Sequence, residues 1–178
     1  MRKMLLFLVI FIIVSIFLIS CEGRTKSLKY VHEDLGFSFE YPADYKEEPT
    51  LTPIEIARFA NQNEFKVPVY TVSLRDRSKD EKLIDLPERT IKSMEETIPG
   101  TSNYNILEKN SVKLRDGSDA IIFKFKWLWL DGKTVMETVI IGAYKGDKLI
   151  TISGTTIEGL DYSLEQISKY CMTLRLTL

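Results

Sequence analysis

Apolar and polar residues alternate along most of the chain, and this pattern predicts an antiparallel β-sheet. Phe37, Phe39 and Tyr41 occupy every second position before Pro42, which is typical of a strand with one buried face. With the preceding segment around Tyr30 they predict a β-hairpin. Six further strands are predicted, at 54–59, 67–74, 104–114, 120–130, 134–144 and 149–155.

Tight turns connect the last four predicted strands. Asp-Gly or Gly-Asp pairs occur at 116–117, 131–132 and 146–147, each between two apolar runs. Such pairs are a strong short-range signal for hairpins, because their residues adopt the backbone angles of a two-residue turn. The second half of the chain is therefore predicted to be an antiparallel meander.

Two segments have the period of a helix instead. The first has Asp85 as a candidate N-cap, Pro87 in its tolerated first turn and a stop at 99–100, and its apolar residues are Leu83, Leu86, Ile91, Met94 and Ile98. The second carries an apolar stripe made of Leu160, Leu164, Ile167, Cys171 and Leu174. We expect Cys171 to be an unreactive thiol on the buried face.

The first 21 residues have the pattern of a secretory signal. Arg2 and Lys3 precede an almost unbroken apolar run from 4 to 19. This run is shorter than the ~20 apolar residues that a membrane-spanning helix needs. The sequence Leu-Ile-Ser-Cys at 18–21 resembles the lipobox of bacterial lipoproteins.

That resemblance implies cleavage before Cys21 and attachment of lipid to its thiol. We therefore predict a signal peptide at 1–20, a lipidated tether at 21–27 and one folded domain at 28–178. Two or more acyl chains hold a protein stably on a membrane, whereas a single chain does so only reversibly. An uncleaved single-pass anchor remains the alternative.

The folded part resembles the PsbP-like family, named after an extrinsic protein of photosystem II. The resemblance rests on Gly-Phe-Ser-Phe-Glu-Tyr-Pro at 36–42, followed by Asp44 and Tyr45, and on the order of the predicted elements. Members usually have Trp where this chain has Tyr45. The resemblance implies an α+β fold, in which an antiparallel β-sheet is covered by helices as an α/β/α sandwich. It implies no catalytic residue.

Composition argues against nucleic acid as a partner. The 178 residues include 24 Lys and Arg against 25 Asp and Glu, so the formal net charge is −1. A nucleic-acid-binding surface is normally basic, because cationic side chains displace the counterions of the phosphates.

Residues with catalytic or ligating potential are few. His32 is the single histidine, so a site with several histidines is excluded. The acidic turn at 116–119 offers too few oxygens for Ca²⁺ by itself and is interpreted as a hairpin turn. The adjacent carboxylates at 47–48, 80–81 and 95–96 are expected on solvated faces, and the charged run at 75–82 is expected to be an exposed loop. We predict no metal or cofactor.

An aromatic row is the strongest apolar feature of the second half. Phe123, Phe125, Trp127 and Trp129 alternate along one strand and should share one face of the sheet. We expect the terminal helix to cover this row. Trp127 and Trp129 are weak candidates for ligand binding, because the covering helix can end near the turn at 131–132 and leave an aromatic ledge.

Together these observations predict a lipid-anchored, non-enzymatic domain of the cell envelope. It would face the extracytoplasmic side of the cell membrane or outer membrane and bind a protein partner there. Two alternatives stay open. Exposed aromatic side chains in a groove would favour a carbohydrate- or small-ligand-binding module, and a close Asp or Glu pair in a concave pocket would favour an envelope hydrolase.

Lipid attachment at Cys21 is directly testable. The wild-type protein should partition into the detergent phase and carry a lipid label, and Cys21→Ala should lose both the label and the processing of the first 20 residues. A wild-type protein that retains residues 1–20 and takes up no lipid would rule out the anchor.

Overall fold

Nine β-strands and two α-helices form the part of the chain that the structure, a computed structural model, describes: residues 26–176. The predicted signal peptide at 1–20 and the lipidation site Cys21 lie outside the described residues. The strands are β1 (Ser27–His32), β2 (Phe37–Pro42), β3 (Tyr45–Glu47), β4 (Glu55–Asn61), β5 (Val69–Asp76), β6 (Ser102–Lys113), β7 (Asp119–Leu128), β8 (Val135–Lys145) and β9 (Lys148–Ile157). The helices are α1 (Leu86–Thr97) and α2 (Leu164–Cys171).

Seven of these strands form one antiparallel sheet in the order β3-β4-β5-β9-β8-β7-β6, and β1 and β2 form a separate hairpin. The predicted meander is confirmed, because β6, β7, β8 and β9 pair consecutively. Gly117, Gly132 and Gly146 have positive φ in its three turns, where a residue with a side chain would be strained. The short edge strand β3 was not predicted.

Each face of the large sheet has its own hydrophobic core. On one face, α2 and the β1–β2 hairpin cover a cluster that includes Phe37, Tyr70 and Ile167. On the other face, α1 and the short 3₁₀ turn before it cover a second cluster that includes Leu86 and Phe123. This arrangement confirms the expected α+β sandwich.

The terminal helix does not cover the aromatic row, so that expectation was wrong. Phe123, Phe125 and Trp127 belong to the core under α1, whereas α2 packs on the opposite face of the sheet. The short link at 98–101 between α1 and β6 brings α1 back over the β6–β7 side of the sheet. Apolar periodicity identifies which residues are buried but not which helix buries them.

The helices also begin and end differently from the prediction. Asp85 occupies the N-cap position of α1, but its side chain accepts no capping hydrogen bond. By contrast, Ser163 and Gln166 form a complete capping box at the start of α2. Because α2 begins after this cap and ends at Cys171, it is shorter than the predicted apolar stripe, and Leu160 and Leu174 lie beyond its ends.

Two glycines allow the helices to approach the sheet closely. A Cβ atom on Gly154 would collide with Cγ2 of Ile167 from α2, and it would lie 3.1 Å from Cε1 of Tyr70. A Cβ atom on Gly142 would collide with Cδ2 of Leu86 on the other face. Each glycine thus sets the distance between one helix and the sheet.

Gly154→Ala should destabilise the fold by about 1 to 3 kcal/mol, because both neighbours of the added methyl group are buried and cannot move freely. Ser153→Ala, one position away on the opposite face, is the matched control and should change the free energy of unfolding by no more than ~0.5 kcal/mol. Urea denaturation measures both. Equal stability of the two variants would contradict the close packing of α2.

Candidate functional site

A groove of about 850 Å³ lies beside α1 on one face of the large sheet. The helix lies over the β7 and β8 side of this face, and the groove extends from it across β9, β5 and β4. Residues of α1 form one wall. Side chains from 51–55 and 65–67 form the opposite wall.

The bottom of the groove is lined by hydroxyl groups. Cross-strand register places Thr71 opposite Ser153 and Ser73 opposite Thr151. Thr138 and Thr155 form the next opposed pair, and their Oγ1 atoms are 3.1 Å apart. We call this set the hydroxyl floor: Thr71, Ser73, Thr138, Thr151, Ser153 and Thr155. Each hydroxyl can both donate and accept a hydrogen bond.

The opposite face of the same strands is apolar and buried. Tyr70 and Val72 alternate with the floor residues of β5, and Ile150 and Ile152 do so in β9. These two central strands therefore have one apolar and one hydroxyl-rich face. An antiparallel sheet tolerates this division, because only one of its faces needs to be packed.

Aromatic side chains mark the end of the groove where β5 begins, which we call the tryptophan end. Trp127 is 5% exposed, and its Nε1 donates to Oγ1 of Thr138 at 3.1 Å. Trp129, just past the end of β7, is 39% exposed, with its ring 5.5 Å from that of Trp127. Phe65 lines the opposite wall and is 59% exposed.

The two candidate tryptophans therefore lie together but in different environments. Trp127 contributes to the core and to the wall of the groove, whereas Trp129 is open to solvent. The exposure of Trp129 agrees with an aromatic ledge beside the end of α1, where Ile98 lines the same groove.

The other end of the groove, which we call the arginine end, contains a buried ion pair. Glu81 is 1% exposed, and both of its carboxylate oxygens accept hydrogen bonds from the guanidinium of Arg75. The backbone N–H of Ser78 also donates to this carboxylate, at 3.2 Å, and Nε of Arg89 lies 3.7 Å from it. The hydrogen bonds from Arg75 hold the pKa of Glu81 below its ordinary value of 4.5.

The ion pair corrects two expectations from sequence. The adjacent carboxylates at 80–81 do not both lie on a solvated face, because Glu81 is buried. The segment 75–82 is not simply an exposed loop, because Arg75 and Asp76 belong to β5 and Glu81 is buried. Its main chain is fixed as well, since the hydroxyl of Tyr144 donates to the Glu81 carbonyl at 3.2 Å. The guanidinium of Arg77 stacks on the Tyr144 ring at 4.1 Å. Alternating charge along the sequence gave no sign that one carboxylate was enclosed by arginines.

His32, Cys171 and Asp116, which the sequence analysis considered for catalysis or metal binding, lie away from the groove. His32 ends β1, and its ring stacks on Phe37 at 5.4 Å. Cys171 is fully buried, and burial raises the pKa of its thiol to about 12. Asp116 accepts from the backbone N–H groups of Ser118, at 3.0 Å, and of Leu176, so it secures the end of the described chain.

Residues 26–176 contain no group of three or more His, Cys, Asp or Glu side chains placed to hold a metal ion. Over the same residues, each helix is too short or too polar to cross a membrane.

Comparison with known proteins supports the fold assignment. No family model and no curated protein sequence matches this chain. The solution structure of the cyanobacterial PsbP protein from Synechocystis sp. PCC 6803 aligns with a TM-score of 0.70 at 17% sequence identity, and the alignment covers 88% of this chain and 97% of that chain. A crystal structure from Bacteroides thetaiotaomicron aligns with a TM-score of 0.52 at 16% identity, over 84% of this chain and 48% of that chain. The chain therefore has a PsbP-like fold, and at these identities the likeness concerns the fold alone.

Glu81→Gln should destabilise the protein by roughly 2 to 3 kcal/mol at pH 7, since it leaves Arg75 and Arg89 without a charged partner. This is less than the ~3 to 5 kcal/mol for breaking a fully buried pair, because Arg75 and Arg89 are partly hydrated. The low pKa of Glu81 stabilises the fold above pH 4.5, and that contribution is lost as the pH falls and the carboxylate is protonated.

The difference between wild type and Glu81→Gln should therefore shrink as the pH falls below 4.5. Denaturation curves at several pH values measure it, with the exposed Glu95→Gln as control. A pH-independent difference would contradict the assigned ion pair.

The two tryptophans should differ in fluorescence. In Trp129→Phe the remaining fluorophore is the buried Trp127, so the emission should be blue-shifted and poorly quenched by acrylamide. In Trp127→Phe the remaining fluorophore is the exposed Trp129, so the emission should be readily quenched. Trp127→Ala should cost roughly 3 to 5 kcal/mol of stability, but Trp129→Ala only about 1 kcal/mol. Equal quenching of the two single-tryptophan proteins would contradict the described environments.

Proposed function

We propose that this chain is a lipid-anchored domain of the cell envelope that binds a protein partner at the membrane and catalyses no reaction. The groove beside α1 is the proposed binding site. The observation that carries the proposal is the concentration of exposed apolar side chains along its walls.

Four of the nine exposed large apolar side chains in residues 26–176 line this one groove, namely Leu51, Ile54, Phe65 and Trp129. Leu51 is 70% exposed. Scattered apolar residues are normal on a protein surface, but a cluster of them around a concavity marks an interaction site. The hydroxyl floor supplies hydrogen-bonding groups between these apolar walls.

The size of the groove supports a macromolecular ligand. Its floor follows β5 from Val69 to Arg75, which corresponds to about 20 Å at the rise of an antiparallel strand. An extended protein segment of about six residues has this length.

The local chemistry supports a binding role. The two carboxylates that line the groove already have partners within the protein: Glu55 accepts from the backbone N–H of Leu51 at 2.7 Å, and Asp76 pairs with Lys148. Cys171 is enclosed in the opposite core. An acid–base pair or an activated thiol would need to be accessible and unengaged.

The anchor at Cys21 remains part of the proposal and rests on the sequence. The described chain begins at Lys26, and five residues span at most about 17 Å when fully extended. An anchored domain would therefore stay at the membrane surface. Its partner would be a membrane protein or another component held nearby.

A carbohydrate ligand is the second candidate, and the exposed Trp129 beside the hydroxyl floor favours it. An indole face can pack against a sugar ring, and Ser and Thr hydroxyls can bind its hydroxyl groups. The opposite wall is lined by apolar side chains. These pack better against the apolar side chains of a protein segment than against the hydroxyl groups of a sugar.

Photo-crosslinking in intact cells tests the proposed function. A benzophenone amino acid at Phe65 or at Trp129 should capture one protein partner, identified by mass spectrometry. The matched control is the same amino acid at Leu107, which is exposed on β6 outside the groove and should capture none. Adducts that contain glycan but no protein would support the second candidate. Capture that does not differ between the groove and Leu107 would contradict the assignment of the groove.

A further inference from the structure

We infer that one end of the domain, on which Phe65, Trp129 and Leu130 are exposed, rests on the surface of a lipid bilayer. This inference rests on the proposed function, because it takes the lipid anchor at Cys21 as given, and it adds the orientation of the domain on the membrane. It follows from where the described chain begins and from the side chains that are exposed beside that point.

The described chain begins at one end of the large sheet. The carbonyl of Lys26 accepts a hydrogen bond from the backbone N–H of Ala43 at 2.8 Å, and β3 starts two residues later, where it pairs with the last residue of β4. At this same end β5 and β8 begin and β7 and β9 end. We call this end the base of the domain. Besides Lys26, it is formed by the connecting segments 62–68, 98–101 and 129–134.

The length of the tether determines which end can face the membrane. The five residue steps from Cys21 to Lys26 span at most about 17 Å. Strand β4 runs from Asn61 at the base to Glu55 near the opposite end, a distance of about 20 Å. A domain that stood on the opposite end would therefore raise Lys26 farther above the bilayer than the tether can span. The exposed apolar side chains of 51–54, at that end, are not placed for membrane contact.

The base exposes apolar side chains of the kind found at membrane surfaces. Within residues 26–176, Phe65 and Trp129 are the only exposed aromatic residues, and both lie at the base. Leu130 beside them is 52% exposed and lies outside the groove. Tryptophan is enriched at membrane interfaces, because its ring is apolar while its N–H stays hydrated, and Phe and Leu form the buried face of interfacial segments.

Hydrogen bonds hold both exposed aromatic residues on ordered turns. In the β7–β8 turn, the backbone N–H of Trp129 donates to the carbonyl of Thr134 at 2.9 Å. The carboxylate of Asp131 accepts from the backbone N–H and the hydroxyl of Thr134, at 2.8 and 2.6 Å. In the β4–β5 loop, the side-chain oxygen of Asn63 accepts from the backbone N–H of Val67 at 3.1 Å. Side chains that are already positioned lose less conformational freedom when they bind.

The same turn limits how deeply the base can enter the bilayer. Asp131 is ionised at neutral pH, because hydrogen bonds from the hydroxyl and backbone N–H of Thr134 and from the backbone N–H of Lys133 hold its pKa at about 2. An ionised carboxylate is costly to transfer into hydrocarbon. The β7–β8 turn can therefore lie among the lipid headgroups, with the rings of the base at the boundary of the acyl chains.

This orientation also relates the groove to the membrane. Phe65 and Trp129 line the groove at its tryptophan end. That end would therefore open at the bilayer surface, and the arginine end would lie away from it. A segment of a membrane protein could enter the groove directly from the bilayer.

Quenching of a single tryptophan by labelled lipid tests the orientation. The lipidated protein, purified from membranes, is reconstituted into phosphatidylcholine vesicles in which part of the lipid carries a nitroxide near the glycerol end of one acyl chain. In Trp127→Phe the only fluorophore is Trp129, and the labelled lipid should quench its emission at least about twofold. The matched control is Ile84→Trp in a chain that also has Trp127→Phe and Trp129→Phe. Ile84 is 45% exposed at the opposite end, so its replacement should be quenched far less.

Two further substitutions locate the contact. In the Trp127→Phe chain, Leu130→Glu should reduce the quenching of Trp129, because a carboxylate resists entry into the bilayer. The matched control Leu107→Glu, in the middle of β6, should leave the quenching unchanged. A benzophenone amino acid at Leu130 in the otherwise wild-type protein gives an independent readout, and it should form adducts with lipid in intact cells.

The outcomes separate this inference from the proposed function. If the protein sediments with the vesicles but Trp129 is quenched no more than the Ile84→Trp control, the inference is wrong while the anchored groove stands. Equal effects of Leu130→Glu and Leu107→Glu, or capture of a protein instead of lipid at Leu130, would also overturn it. A protein that carries no lipid and does not sediment with vesicles would contradict both the anchor and the inference, whereas protein capture at Phe65 would still support the groove.

Discussion

The structure depends on one geometric constraint: its main sheet is wider than any helix that packs on it. Seven strands span about 29 Å across the sheet, whereas an α-helix is about 10 Å wide. On one face α2 and the β1–β2 hairpin together cover the sheet and enclose an extensive core. On the other face, within residues 26–176, only α1 and a short 3₁₀ turn pack on the sheet. These residues leave part of that face uncovered, and this part forms the groove.

The composition of the uncovered face follows from this constraint. On this face the side chains of β7 are aromatic and aliphatic, those of the central strands β9 and β5 are largely Ser and Thr, and β4 contributes Arg58. Hydroxyl side chains keep the strands compatible with water, and threonine in particular also favours strand geometry. At one end the buried pair of Arg75 and Glu81 joins β5 to the segment that leads into α1, so the wall of the groove is held against its floor.

The sequence allowed the fold to be predicted better than the site. Alternating residues and Asp-Gly turns are local signals, and they predicted the meander from β6 to β9 and the α+β class. The groove depends on long-range register, because Thr71 and Ser153 share the floor only through pairing of β5 with β9. The alternation of Thr71 and Ser73 with apolar residues was visible in the sequence. The sequence did not show which face of the sheet these two residues line. The burial of Glu81 likewise depends on Arg89 from the following helix.

Chemical labelling of introduced cysteines tests the open face most directly. With Cys21 replaced by Ser in the parent protein, Cys171 is the single remaining thiol and it is buried, so this parent should give little background. With a maleimide reagent, Ser153→Cys and Ser73→Cys should react rapidly in the folded protein, whereas Ile121→Cys, on the same face but within the core under α1 and outside the groove, should be strongly protected. Protection of Ser153→Cys as strong as that of Ile121→Cys would show that this part of the sheet is covered, and would contradict the groove.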